Sequence, residues 1–379
     1  MSARWFSAER SARITALTAF IWLGGCGSSA PPYVPPPDAA SVDTAQADVA
    51  DSSASDVAAV VDSSPTTDTG SANGANDTGG VAAEDVNAQD VTPDTAQDAQ
   101  VPPTKTSKGC GLKATHTTGG VQVTIDAGAA GDGKRGFYLV LPKGYDPTKP
   151  HRLIIGYPGT NWVGQQIRPY LKLEDGASNE IFAYPDPLKR EFKGWGTYGG
   201  WLLGPYAQPA HGNQDLVFTE AMLDYLSEKY CLDTERIFAT GHSWGGDMAM
   251  VVACFLGDRV RAAAPAAANR PYWFEKGGSG LVKCVGDAAV WIFFGQYDEH
   301  FSSQKYQGEF GDQCRDFWVK ERACAAPLAS NELPYDTPGS CVAYKGCSSP
   351  VRYCLYDKKT GHQIPSYFSK AVRDWFRSF

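Results

Sequence analysis

The chain predicts an α/β domain built on a mostly parallel sheet with helices on both faces. Three observations point there. Short apolar runs recur and alternate with helical patterns. Several of those runs are continuous rather than alternating, as in strands covered on both faces. One run, Ile237-Phe238-Ala239, leads into Gly241-His242-Ser243-Trp244-Gly245 and then into the helical pattern 247–253. Strand, sharp turn and helix around Gly-x-Ser-x-Gly is the setting of a nucleophile elbow. The serine takes a strained backbone so that its hydroxyl stands clear of the sheet, and a side chain two residues away on either flank would crowd the turn. The N–H groups that open the next helix point to where an oxyanion forms.

The 379 residues overstate the folded part. Residues 1–26 predict a lipoprotein signal: Arg4, Arg10 and Arg13 make a basic start, residues 14–23 an apolar core, and Leu23-Gly24-Gly25-Cys26 a lipobox whose cysteine is acylated. The apolar run is too short for a permanent membrane span. An ordinary cleaved secretion signal is the other reading, and both export the chain. Residues 27–104 hold 12 Asp, 1 Glu and no Lys or Arg, with almost no large apolar side chain. Such a segment buries too little to offset its chain entropy, so a disordered acidic tether is expected, with an end-to-end distance of about 50 Å. Of the net charge of −8, the tether carries −13 and the signal +2, which leaves +3 on residues 105–379. That near-neutral domain gives no sign of a nucleic-acid partner. Membrane attachment is expected only through a lipid anchor at Cys26, at the bacterial cell envelope or surface, and the domain is expected to be monomeric.

With Cys26 acylated, nine cysteines remain, and an exported chain should pair most of them. Nine is odd, so one thiol is left over. No Cys-x-x-Cys occurs, which argues against a zinc site, and no metal is expected.

Along residues 105–379, strands are expected at 121–125, 136–142, 152–157, 180–185, 237–239, 262–267, 288–294 and 351–356. Residues 215–230 form the strongest helical pattern, and 366–379 an amphipathic closing helix with Tyr367, Ala371, Trp375 and Phe379. Residues 194–201 are too glycine-rich for an element and are expected as a surface loop carrying aromatics.

A serine nucleophile needs a base, and the base needs an orienting carboxylate. With the chain order serine, acid, histidine, only His300 and His362 follow Ser243 and the acid loop. His362, just after the last strand, is the expected base. Asp298, at the end of the 288–294 strand, is the expected acid, with Glu299 its nearest competitor. One oxyanion donor should be the N–H of Trp244 and the second should come from Gly159 or Thr160; Pro158 has no N–H to give. Trp195, Tyr198, Trp201, Tyr157 and His300 are candidate pocket residues. The long stretch between Asp298 and His362, with Cys314, Cys324, Cys341 and Cys347, is expected as a disulfide-stapled insertion forming a lid or pocket wall.

Taken as a set, five stretches resemble the exported esterases of carbohydrate esterase family 1, close to feruloyl esterases and polyhydroxybutyrate-depolymerase-like enzymes. They are Gly109-Cys110-Gly111, Leu141-Pro142-Lys143-Gly144-Tyr145, Asp215-Leu216-Val217-Phe218, residues 230–246 from Tyr230-Cys231-Leu232-Asp233 to the elbow, and Gly361-His362 with the closing helix. The resemblance spans residues 109–379. It implies an α/β-hydrolase fold and a cofactor-free serine hydrolase of carboxylic esters, with Ser243 as nucleophile, Asp298 as acid and His362 as base. Two stretches depart from the family pattern: Tyr157-Pro158-Gly159, where His-Gly is usual, and Phe294-Gly295-Gln296-Tyr297-Asp298, where His-Gly-x-x-Asp is usual. Both departures touch the pocket edge. The expected substrates are feruloyl or related small esters of plant cell-wall polysaccharide such as xylan. Short-chain hydroxyalkanoate esters are the alternative within the class, and a non-catalytic binding module on the same fold is the alternative outside it.

Overall fold

The computed structural model describes residues 105–116, 118–271, 283–301, 308–325, 341–357 and 360–379. The expected signal with Cys26 and the acidic tether lie outside the described residues. Eleven strands occur among them. They are β1 (Gly119–Asp126), β2 (Lys134–Leu141), β3 (His151–Tyr157), β4 (Glu180–Pro185), β5 (Leu188–Phe192), β6 (Gly196–Gly200), β7 (Leu232–His242), β8 (Ala262–Ala266), β9 (Ala289–Gly295), β10 (Cys341–Ala343) and β11 (Val351–Tyr356). Five α-helices accompany them: α1 (Gly164–Leu171), α2 (Gln214–Lys229), α3 (Trp244–Phe255), α4 (Glu309–Glu321) and α5 (Phe368–Arg377).

Nine strands form one sheet in the order β1-β2-β4-β3-β7-β8-β9-β11-β10. The run from β4 to β11 is parallel, while β1, β2 and β10 pair antiparallel at the two edges. This is the α/β-hydrolase architecture. The central strands carry continuous apolar segments, Leu153-Ile154-Ile155, Ile237-Phe238-Ala239 and residues 289–294, because both faces are covered there. Their side chains divide by parity. Leu153, Ile155, Ile237, Ala239, Val290, Ile292 and Phe294 pack with residues of α2, α3 and α4. Ile154, Phe238, Ala289, Trp291 and Phe293 pack with residues of α1 and α5. A one-residue slip in any of these strands would exchange the two faces, so the register is strongly specified. β8 is all Ala and Pro, and Gly246 of α3 rides so close to it that a Cβ there would meet the Ala266 carbonyl at 2.6 Å.

Four disulfides join Cys110–Cys231, Cys254–Cys284, Cys324–Cys347 and Cys341–Cys354. They are what a chain exported to an oxidising compartment carries. The ninth cysteine, Cys314, is free and buried, with its thiol against the Asn269 carbonyl at 3.1 Å.

Two expectations need correction. Residues 194–201 are not an irregular loop: β6 pairs with β5 as an antiparallel hairpin from Leu188↔Gly200 to Phe192↔Gly196. The hairpin is fixed from outside by Asp215, which accepts hydrogen bonds from Arg190 and from the Leu202 N–H. The stretch between Asp298 and His362 is not wholly a lid, because α4 inside it is part of the core. Its Phe317 and Trp318 are buried in the same cluster as Phe294, and Gly311 sits directly on the Phe294 ring. Cys314 therefore staples nothing. The disulfides Cys324–Cys347 and Cys341–Cys354 do tie the later part of the stretch. Residues 302–307 and 326–340 of it lie outside the described residues.

Candidate active site

Every loop that carries an expected site residue leaves the same, carboxyl-terminal edge of the parallel sheet. Gly159 follows β3, Ser243 follows β7, Asp298 follows β9 and His362 follows β11. In open α/β sheets that edge is where ligands bind.

The elbow has the geometry its glycines call for. Ser243 has φ 57 and ψ −127, a conformation that costs on the order of 1–3 kcal/mol for a non-glycine residue. A Cβ on Gly241 would lie 2.2 Å from the Gly245 carbonyl, and one on Gly245 would lie 2.1 Å from the Tyr157 carbonyl. Neither position admits a side chain, and the packing that excludes one holds Ser243 at the head of α3. The Ser243 N–H is tied to the Ala266 carbonyl at 3.0 Å.

His362 and Asp298 meet as a buried pair. The His362 Nδ1–H donates to Asp298 Oδ2 at 2.7 Å, with Asp298 wholly buried and His362 nearly so. The other carboxylate oxygen of Asp298 accepts the N–H groups of His300 and Phe301, both at 2.9 Å. Three donors therefore hold the carboxylate, and its partner nitrogen on His362 is committed, which leaves Nε2 as the ring nitrogen that Asp298 does not engage. Glu299, the competitor, instead accepts the backbone N–H of His362 at 3.0 Å and shapes the loop.

His242 supplies a further tie. It is buried, and its Nε2–H donates to the His362 carbonyl at 2.5 Å. Burial, and then the neighbouring His362, push its pKa down to about 4, so it is neutral near pH 7. Its ring lies between those of His362, at 4.8 Å, and Tyr170, at 4.9 Å. The Tyr170 hydroxyl accepts the Ile364 N–H and donates to Gln363, so it grips the same loop from α1. No hydrogen bond joins Ser243 Oγ to His362 among the described residues. Such bonds are often long in a resting site and tighten when substrate enters.

Gly159 brings the β3 loop against the serine: a Cβ there would lie 3.2 Å from the Ser243 Cβ. The N–H groups of Thr160 and Trp244 have no hydrogen-bond partner among the described residues, so both are free to donate. The loop is braced by Asn161, which exchanges hydrogen bonds with Gly199 of the hairpin.

The expected pocket residues divide. Trp195 is exposed and its ring lies 6.2 Å from that of Trp244; Tyr198 is half-buried on the same hairpin. His300 is exposed and stands edge-on to His362 at 4.5 Å. Trp201 and Tyr157 line no open pocket, because both are wholly buried. Trp201 donates from Nε1 to the Pro158 carbonyl at 2.8 Å, and the Tyr157 hydroxyl pairs with Thr219. They support the loop after β3 from beneath. Sequence reasoning missed Tyr170, Asn161 and the Asp215–Arg190 tie. Only Asp215, at the head of a clear helix, had a local signal.

No protein-family model matches the chain. Its sequence is similar to feruloyl esterase C of Emericella nidulans, 28% identical over 260 residues that cover 66% of this chain and 82% of that protein. It is also similar to feruloyl esterase D of Neurospora crassa, 27% identical over 256 residues, or 64% of this chain and 77% of that protein. Among solved structures, the acetyl xylan esterase from Aspergillus awamori aligns with a TM-score of 0.49 at 16% identity, over 68% of this chain and all of that one. The chain is a carboxylic ester hydrolase with an α/β-hydrolase fold.

Proposed function

We propose that the chain is a serine esterase in which Ser243 is the nucleophile, His362 the general base and Asp298 the orienting acid. We further propose that it cleaves feruloyl-type esters of plant cell-wall polysaccharide. The observation that carries the catalytic reading is the buried Asp298–His362 hydrogen bond on the sheet edge that also presents the strained Ser243.

Each atom has a task. As Ser243 Oγ attacks the ester carbonyl carbon, its proton passes to His362 Nε2. Asp298 stays ionised, fixes the Nδ1–H tautomer and stabilises the imidazolium that forms. The carbonyl oxygen becomes an oxyanion that the N–H groups of Trp244 and of Thr160 or Gly159 stabilise; losing one such donor costs about 10²–10³ in kcat. When the bond to the alcohol oxygen breaks, His362 gives its proton to that oxygen. Water then attacks the acyl-serine, with His362 taking the water's proton and returning it to Ser243 Oγ.

Two things support the substrate. The relatives named above are feruloyl esterases, and the exposed Trp195 with the half-buried Tyr198 offers an aromatic acyl group a flat partner beside Trp244. The same reading places the enzyme in carbohydrate esterase family 1 and anchors it to the cell envelope through an acylated Cys26, with residues 27–104 as the spacer. The test compares hydrolysis of methyl ferulate, p-nitrophenyl acetate and a hydroxybutyrate oligomer by the wild type and Ser243→Ala. Serine-dependent release of ferulate is the expected result, and serine-dependent release of acetate alone would overturn the substrate.

A further inference from the structure

Two exposed tryptophans, Trp195 and Trp162, stand on different elements that border Ser243, the hairpin and the loop after β3. Trp195 stands on the hairpin against Trp244, the residue after the serine. Trp162 belongs to the other side. Its ring meets Tyr170 edge to face at 5.3 Å and 88°. Tyr170 in turn packs on His242 and holds Gln363 and Ile364, the two residues after His362. Trp162 follows the oxyanion loop directly, and its N–H is fastened to the Gly159 carbonyl at 3.2 Å. It is thus held by its own backbone and by a supporting ring. Even so it is 38% exposed, with the neighbouring Val163 42% exposed. A rigid indole left open beside a reaction centre is the kind of anchor on which binding energy concentrates.

The chemistry decides which half of the ester meets each tryptophan. This step rests on the catalytic reading above. His362 must hand its proton to the leaving alcohol oxygen, so the alcohol departs on the His362 side. We propose that Trp162 is the platform for that alcohol, a sugar ring of a polysaccharide ester, and that Trp195 meets the acyl group. A sugar ring has an apolar C–H face and a polar rim. The face stacks on the indole while the hydroxyls stay in water, so an exposed platform suits one unit of a long polysaccharide chain.

The test uses two esters that share one acyl group, a methyl ester and an ester on a xylo- or arabino-oligosaccharide. The acyl group is whichever gives Ser243-dependent turnover. For Trp162→Ala, the ratio of kcat/KM on the oligosaccharide ester to that on the methyl ester should fall by about tenfold, mainly through KM. Trp162→Phe, which keeps a smaller ring, should give a fall of about threefold. Trp195→Ala should lower both esters together and leave the ratio in place. An unchanged ratio in Trp162→Ala overturns the proposal. A second arm needs no turnover. In Ser243→Ala, an unacylated oligosaccharide should quench tryptophan fluorescence saturably, and adding Trp162→Ala should remove that quench. A quench that persists overturns the platform. Should ester hydrolysis survive Ser243→Ala, the catalytic reading fails, while the fluorescence arm still decides Trp162.

Discussion

The two walls beside Ser243 are built differently. The His362 wall is held by buried polar ties: Asp298 to Nδ1, Glu299 to the His362 N–H and His242 to its carbonyl. The hairpin wall makes its polar contacts at its base, where Arg190 reaches Asp215, and presents Trp195 to solvent at its tip. The first wall holds the His362 ring and its backbone by hydrogen bonds from three side chains, as the proposed proton transfer needs. The second offers an apolar surface whose detail can vary while the chemistry stays the same. On the proposed mechanism, the contrast separates what carries the ester chemistry from what selects the ester.

The sharpest way to break that contrast is at Asp298. Asp298→Asn keeps an acceptor oxygen for the His300 and Phe301 N–H groups but presents the wrong partner to His362 Nδ1–H. A loss of about 10⁴ in kcat with little change in KM is expected, measured on any ester the wild type turns over. A fall below tenfold would mean that this wall does not carry the chemistry.

Asp215 tests the other wall. It faces the wholly buried Arg135 at 2.7 Å as well as Arg190. Asp215→Ala strands a buried guanidinium, so destabilisation of about 3–5 kcal/mol is expected in urea unfolding. A loss under about 1 kcal/mol would show that aromatic packing alone holds the hairpin.

The smallest effect is at His242. Its folded pKa of about 4 lies below the ordinary 6.5, so between those values the unfolded chain binds more protons. The stability it contributes is full above about pH 6.5 and is lost as pH falls toward 4. His362, Asp298, His300 and Tyr170 are the titratable groups around it. His242→Gln should flatten the dependence of Tm on pH across that window, and an unaltered slope would contradict the burial of a neutral imidazole there.

Much of this architecture could be read from sequence, for a physical reason. The buried middles of β3 and β7 and the whole of β9 are covered on both faces, so they appear as continuous apolar runs, and the elbow announces itself because its glycines answer to sterics within five residues. Ser243 and Asp298 each follow such a run, and His362 follows β11, whose Val351–Tyr356 pattern is interrupted by Arg352. What could not be read depends on distant partners. Residues 196–200 become a strand only because residues 188–192 pair with them and Asp215 anchors the result. α1 buries only Gly164, Ile167 and Leu171 and contains Pro169, so its apolar stripe is too thin to stand out. The burial of Tyr157 and Trp201 has the same origin, since Thr219 and the Pro158 carbonyl, 62 and 43 residues away, decide where their polar atoms go.

The most direct test of the central claim is covalent. A fluorophosphonate is attacked by an activated serine and leaves a stable adduct on it. Mass analysis of the treated, oxidatively folded protein should show one equivalent, located on the peptide that contains Ser243 and absent from Ser243→Ala. An adduct on a different serine, or ester hydrolysis that persists in Ser243→Ala, would contradict the assignment of Ser243, His362 and Asp298 to the reaction.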